Sequence, residues 1–386
     1  AAIPAEATHV TAASRRHDPA RRRVRGPAVT IAVYNPALQS PEYGGGPTRR
    51  RHVPAVRVPP PRGAPAWTFD GRTLLEFPPA VHNGLVVVGT NAGRVFALGA
   101  KAGRLRWARR VRGNIASSPA IAGDVVYVTS MAGVLAAYRR QDGRPLWRLD
   151  LGSPIESSPL VANGLVYLGT HDGTLYAVDA GGPRIRWRYR AVGDIKGSAA
   201  LAGDTLIVGD YAGAVHGVDA RTGARRWVAA AGRRFYGGPA LSGTTAVIGD
   251  VGGAVVALDT RTGAVRWRRS TGGAYVYATP AIADGTVYIG SYNGRFEALD
   301  LGSGAVRWSF DAGGRISGSA TVVDGVVYTS ILYRPGQPRR TYGLDARTGA
   351  VRFRMADGRY SPAVAAGRTL YLVGVRTLYA HPAPAA

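Results

Sequence analysis

The chain has 386 residues and no Cys, which excludes disulfide scaffolds, thiolate metal sites, cysteine nucleophiles and CxxC redox motifs. Its 49 basic residues against 24 acidic ones give a formal charge of +25, which permits a polyanionic partner without requiring one. No apolar run reaches the roughly 18 residues needed to span a bilayer.

Residues 1–66 come first and read as a basic arm or linker. They hold 11 Arg, three acids (Glu6, Asp18 and Glu42) and neither Trp nor Phe. So little apolar surface cannot offset chain entropy. A disordered Arg/Pro-rich segment is therefore expected, removable as far as residue 60 without disturbing the rest of the chain. Within it only Val29–Tyr34 has the composition of a strand.

From residue 67 the chain is periodic. All seven tryptophans fall on one ladder: Trp67, Trp107, Trp147, Trp187, Trp227, Trp267 and Trp308, with Phe353 as an eighth rung. Turn-forming pairs run beside it, from Asn83-Gly84 and Gly123-Asp124 to Asp324-Gly325 and Gly367-Arg368. Each unit resolves into four short strands; in the sixth they are Ala278–Ile282, Thr286–Gly290, Arg295–Leu299 and Ala305–Trp308. A four-strand unit of about 40 residues with no helical period is the length of a propeller blade. The last unit lacks its fourth strand, and the orphan strand Ala66–Phe69 supplies it. The spacing therefore predicts an all-β, eight-bladed propeller of antiparallel blades over 67–386, closed by pairing of that strand beside Leu378-Tyr379.

The fullest form of the repeat is Ala257-Leu-Asp259-Thr-Arg-Thr262-Gly263-Ala-Val-Arg-Trp267. Asp and Thr are suited to tie the turn by side-chain hydrogen bonds, Gly supplies positive φ, and the small first residue leaves room for an indole. This A-x-D-x-x-T-G-x-x-x-W pattern resembles the tryptophan-docking motif of the pyrroloquinoline-quinone-type propeller repeat. That superfamily includes quinoprotein alcohol dehydrogenases and the eight-bladed outer-membrane assembly scaffold BamB. The resemblance covers residues 67–386 and is degraded at Gly99 in the first blade and Arg139 in the second.

The resemblance implies either a BamB-like scaffold or a quinone-binding oxidoreductase. Against the enzyme stand the missing cysteine pair, the use of every Trp on the ladder, and the lack of an assignable calcium cluster. Asp210 and Asp250, in equivalent loops of adjacent blades, come nearest to such ligands but read first as caps of their own turns. No Walker loop, HExxH or GxSxG occurs, and His171 reads as a plain loop residue. The leading expectation is a non-catalytic, extracytoplasmic, monomeric scaffold for a protein partner or envelope component, without cofactor, any signal or anchor lying upstream of Ala1. The alternative is a propeller that binds the quinone with calcium or another small ligand.

Two features suggest where a partner would sit. Arg106, Arg186, Arg226, Arg266, Arg307 and Arg352 each precede a ladder aromatic. Strand alternation puts them opposite the indole, as a basic girdle open to loose polyanion attachment. The loops of blades four to six break the repeat and carry Lys196, Asp210, Tyr211, Arg234, Phe235, Tyr236, Asp250, Tyr275, Tyr277 and Tyr292, with an insertion at Ile331–Arg340 in blade seven. Tyr and Arg are the types enriched at binding hot spots, so this face is the expected partner site. Tyrosines that merely plug the channel are the other reading.

Overall fold

The computed structural model describes residues 45–53, 57–332, 339–360 and 363–384. Among them the strands form eight sheets, seven of four strands and one of five. Each is a blade with strands a to d running outward from the axis; blade 1 is Ala80–His82, Leu85–Gly89, Arg94–Gly99 and Leu105–Arg110. Positive-φ pairs such as Asn83-Gly84 (φ 45° and 72°) make the two-residue a–b hairpins that the composition called for. The ring closes as expected. Trp67–Asp70 pairs antiparallel with Thr377–Pro382, Trp67 opposite Ala380 and Asp70 opposite Thr377.

The apolar interior is divided rather than central. Buried apolar residues fall into eight clusters, one at each joint between neighbouring blades. At the joint of blades 4 and 5, Trp227 packs with Phe235, Ile248 and Leu258, and its Nε1 donates to the Thr260 carbonyl at 3.1 Å. The indole lies flat against Gly263 (φ +75°), where a Cβ would stand 2.5 Å from Trp227 Cε3. Burying one such indole contributes at most about 5 kcal/mol per joint.

The arginines before the ladder aromatics are placed by bulges rather than by alternation. Ala257 is opposite Trp267 and Leu258 opposite Val265, so Arg266 is an extra residue in strand d. The same register shift falls at Arg106, Arg186, Arg226, Arg307 and Arg352. A bulge re-aims its side chain, and here it turns the guanidinium onto the motif Asp seven residues earlier. Arg226 meets Asp219 at 2.7 Å, Arg266 meets Asp259 at 2.6 Å, Arg307 meets Asp300 at 2.7 Å and Arg352 meets Asp345 at 2.7 Å; Arg186 pairs with Asp179. The other carboxylate oxygen ties the turn, as at Asp219, which accepts the Thr222 amide and hydroxyl at 2.8 Å each. The girdle is thus largely ion-paired, a difference from the open basic rim that alternation implied. Arg106 is the exception, lying over Gly99, where the motif Asp is missing.

A second difference concerns the stretch ahead of the propeller. Residues 47–53 are not a free arm but wind along the axis. The carbonyls of Pro47, Thr48, Arg50 and Arg51 accept from the amides of Leu201, Leu241, Ile282 and Val322 at 2.8–2.9 Å. Those four amides hold the same position in the a strands of blades 4 to 7. His52-Val53 then pairs parallel with Val322-Val323 as a fifth strand of blade 7. Composition could not show this, because the axis-facing edges of the a strands recruit backbone carbonyls whatever side chains carry them. The strand expected at Val29–Tyr34 lies outside the described residues, as does the middle of the insertion, residues 333–338.

Candidate functional site

The loops leading into the a strands and those joining strands b and c open on one face. Four residues ahead of each a strand, or three in blade 8, one side chain per blade converges on the axis. Blades 1 to 4 supply Glu76, Ala116, Glu156 and Lys196; blades 5 to 8 supply Tyr236, Tyr277, Ser317 and Tyr360. All but Ala116 line a cavity of about 260 Å³ at the channel mouth.

The mouth has an acidic side and an aromatic side. Glu156 accepts a hydrogen bond from the Tyr236 hydroxyl, and its other oxygen lies 3.1 Å from His171 Nε2. Burial, and next the charge of Glu156, push the Glu76 carboxyl up to about 7, against the pull of Arg359. Burial and Glu156 likewise push the Tyr236 phenol far up, so it stays a donor. Across from them, rings meet in sequence: Tyr211 with Tyr236 at 6.2 Å, Tyr236 with Tyr277 at 4.8 Å, and Tyr277 with Tyr292 at 4.8 Å and 87°. Cations lie over these rings, Lys196 at 4.4 Å from Tyr211, Arg234 at 5.9 Å from the same ring and Arg315 at 5.6 Å from Tyr292.

Of the sequence-selected residues, Lys196, Tyr236, Tyr277 and Tyr292 line the cavity. Tyr211, Tyr275 and Arg234 adjoin it through these ring contacts, with Tyr275 48% exposed. Three do not reach it. Phe235 is fully buried in the joint of blades 4 and 5. Asp210 is fully buried and accepts the amides of Gly193, Ala212 and Ala214 and a contact from His216 Nε2, at 2.9–3.1 Å. Burial alone would raise its pKa, but His216 and then the amides outweigh it and bring it down to about 2. Asp250 accepts the amides of Arg233 and Ala254 at 3.0 and 2.8 Å. Both are turn caps. Sequence reasoning missed Glu76, Glu156 and Tyr360, which aligning the repeats on the residue ahead of each a strand would have found, and it read His171 as a plain loop residue, whereas its ring meets Glu156.

The profile of a known family, outer membrane protein assembly factor BamB, matches residues 52–148, 115–235 and 212–359. The chain belongs to this family. No curated protein sequence matches it. Among solved structures, BamB from Moraxella catarrhalis is similar at 17% identity, with a TM-score of 0.69 over 82% of this chain and 96% of that one. A europium-containing methanol dehydrogenase is similar at 14% identity and a TM-score of 0.76, over 88% of this chain and 89% of that one. Quinohemoprotein alcohol dehydrogenase from Comamonas testosteroni is similar at 14% identity and a TM-score of 0.76, over 94% and 84%. Likeness at this level of identity shows the propeller fold and leaves function to the site.

Proposed function

We propose that the chain is a non-catalytic, extracytoplasmic scaffold that seats a protein partner or envelope component on its loop face, at the channel mouth. The observation that carries this reading is the continuous chain of tyrosine rings from Tyr211 to Tyr292, flanked by Lys196, Arg234 and Arg315 and opening to solvent at Tyr275. Large amphipathic rings with few rotatable bonds beside guanidinium groups are what interface hot spots are made of. The family's description as an outer-membrane assembly factor supports both the scaffold role and the location.

The quinone reading finds less support in the residues at the mouth. Pyrroloquinoline quinone carries three carboxylates, which here would face Glu76 and Glu156 with Lys196 as the one cation lining the cavity among the described residues. All seven indoles belong to strand d positions at the blade joints, so none forms a floor for a planar ring at the mouth. Among the described residues, no three His, Asp or Glu side chains gather to hold a metal ion. The donor set does not fit this cofactor.

A photo-crosslinking residue at Tyr275 tests the scaffold reading against one at Arg221, in a c–d turn on the opposite face. In cells of the source organism, a discrete adduct from position 275 and none from 221 is expected. Equal labelling from both positions, or none from 275, would overturn the placement.

A further inference from the structure

The segment that fills the axis has the features of a ligand rather than a linker. Its backbone steps from blade to blade, four carbonyls meeting four equivalent amides. Two of its three buried side chains, Arg49 at 0% and Arg51 at 3% exposure, are charged, the third being Val53. Burying a guanidinium is costly unless its donors are met, and here the ring meets most of them, with carbonyls and one hydroxyl. Arg49 donates from Nε to Ala199 O at 3.1 Å and from a terminal nitrogen to Ser158 O and Pro159 O at 3.3 and 3.1 Å. Arg51 donates from Nε to Ala320 O. A terminal nitrogen of Arg51 donates to Ser319 O at 3.3 Å and to Thr321 Oγ1 at 2.8 Å.

The sequence of the blades is adapted to these two side chains. The residue just ahead of strand a is Pro in blades 1, 2, 3, 5 and 6 but Ala at 199 and 320, the two positions whose carbonyls take the Arg Nε atoms. The first residue of strand a is apolar in the other seven blades and Thr at 321, where the hydroxyl accepts from Arg51 and donates to Ala363 O at 2.9 Å. Both arginines adopt φ +53°, a left-handed conformation that costs a non-glycine residue energy and so needs the surroundings to impose it.

We propose that the axial channel is a peptide-binding site for a segment bearing two arginines separated by one residue, and that residues 45–53 are its resident in-chain occupant. A partner segment of the same chemistry binds by displacing it. This site is on the axis and does not depend on the loop-face reading.

The test uses the full chain with a site-specific protease sequence replacing residues 54–56, cut after folding. The cut protein keeps its fold and its noncovalently held N-terminal fragment on gel filtration. A labelled peptide of residues 45–53 then exchanges in saturably. Peptides with Arg49→Ala or Arg51→Ala bind roughly tenfold to a hundredfold more weakly, as expected for lost hydrogen bonds to a charged group. Arg→Lys peptides lose most of that affinity too, because one ammonium cannot reproduce the guanidinium fork. Unfolding on cleavage, failure of the peptide to exchange, or binding of the Ala and Lys peptides as tight as that of the parent peptide would each overturn the proposal.

Discussion

Gly263→Ala probes the blade joint at a single atom. The residue sits at φ +75°, and an added Cβ would lie 2.5 Å from Cε3 and 2.9 Å from Cδ2 of Trp227. Forcing a side chain into the left-handed region costs about 1–2 kcal/mol, and overpacking the indole adds about 1–3 kcal/mol. Gly243→Ala is the matched control, because it shares the positive φ (+56°) but its Cβ meets nothing within 4 Å. In urea unfolding, Gly263→Ala should therefore cost about 1–3 kcal/mol more than Gly243→Ala, the overpacking share alone. The excess should vanish in a Trp227→Ala background, itself destabilised by about 3–5 kcal/mol, since the clash partner is gone. Equal costs for the two alanines, or an excess that survives removal of the indole, would refute this view of the joint.

Three further outcomes are expected from the same geometry. Relative to a chain that begins at residue 45, one that begins at residue 57 should lose four backbone hydrogen bonds together with those of the Arg49 and Arg51 guanidinium groups, a loss of at least about 4 kcal/mol, and one that begins at residue 71 should not fold cooperatively. For Glu76, whose folded pKa is raised to about 7, the stability contribution is fully present below the unfolded value near 4.5 and is lost as pH rises through 7. Glu76→Gln should accordingly match the parent at pH 4.5 and exceed it above pH 7, by at most about 3 kcal/mol in urea titrations. Replacing Asp204, Asp219, Asp259 and Asp300 by Asn together should free Arg226, Arg266 and Arg307 from their carboxylates, tightening heparin binding at low salt and steepening its salt dependence.

What was legible in the sequence is what repeats. The tryptophan ladder, the hairpin turns and the orphan strand at Trp67 each recur or are conspicuously missing once per blade, and each reflects a backbone requirement that every blade shares. The bulge at Arg266 was not legible, because a period-two argument cannot see an extra residue in strand d. The axial segment was hidden for a different reason. Pro47–Val53 is held by its own carbonyls and by burial of two arginines, and an Arg-rich stretch reads as solvated chain until carbonyl cradles such as those at Ala199 and Ala320 are seen. At the mouth, the tyrosines stood out by type, whereas Glu76 and Glu156 are common residues made notable only by converging on one axis. Asp210 and Asp250 show the converse, since loop acids that look like ligands are spent on their own turn amides.

Equilibrium dialysis of the protein against pyrroloquinoline quinone with calcium, followed by a dye-reduction assay with alcohols and sugars, tests the central claim most directly. A non-catalytic scaffold with Glu76 and Glu156 at its mouth retains no quinone above the free concentration and reduces no dye. Stoichiometric retention of the quinone with substrate-dependent dye reduction would contradict it.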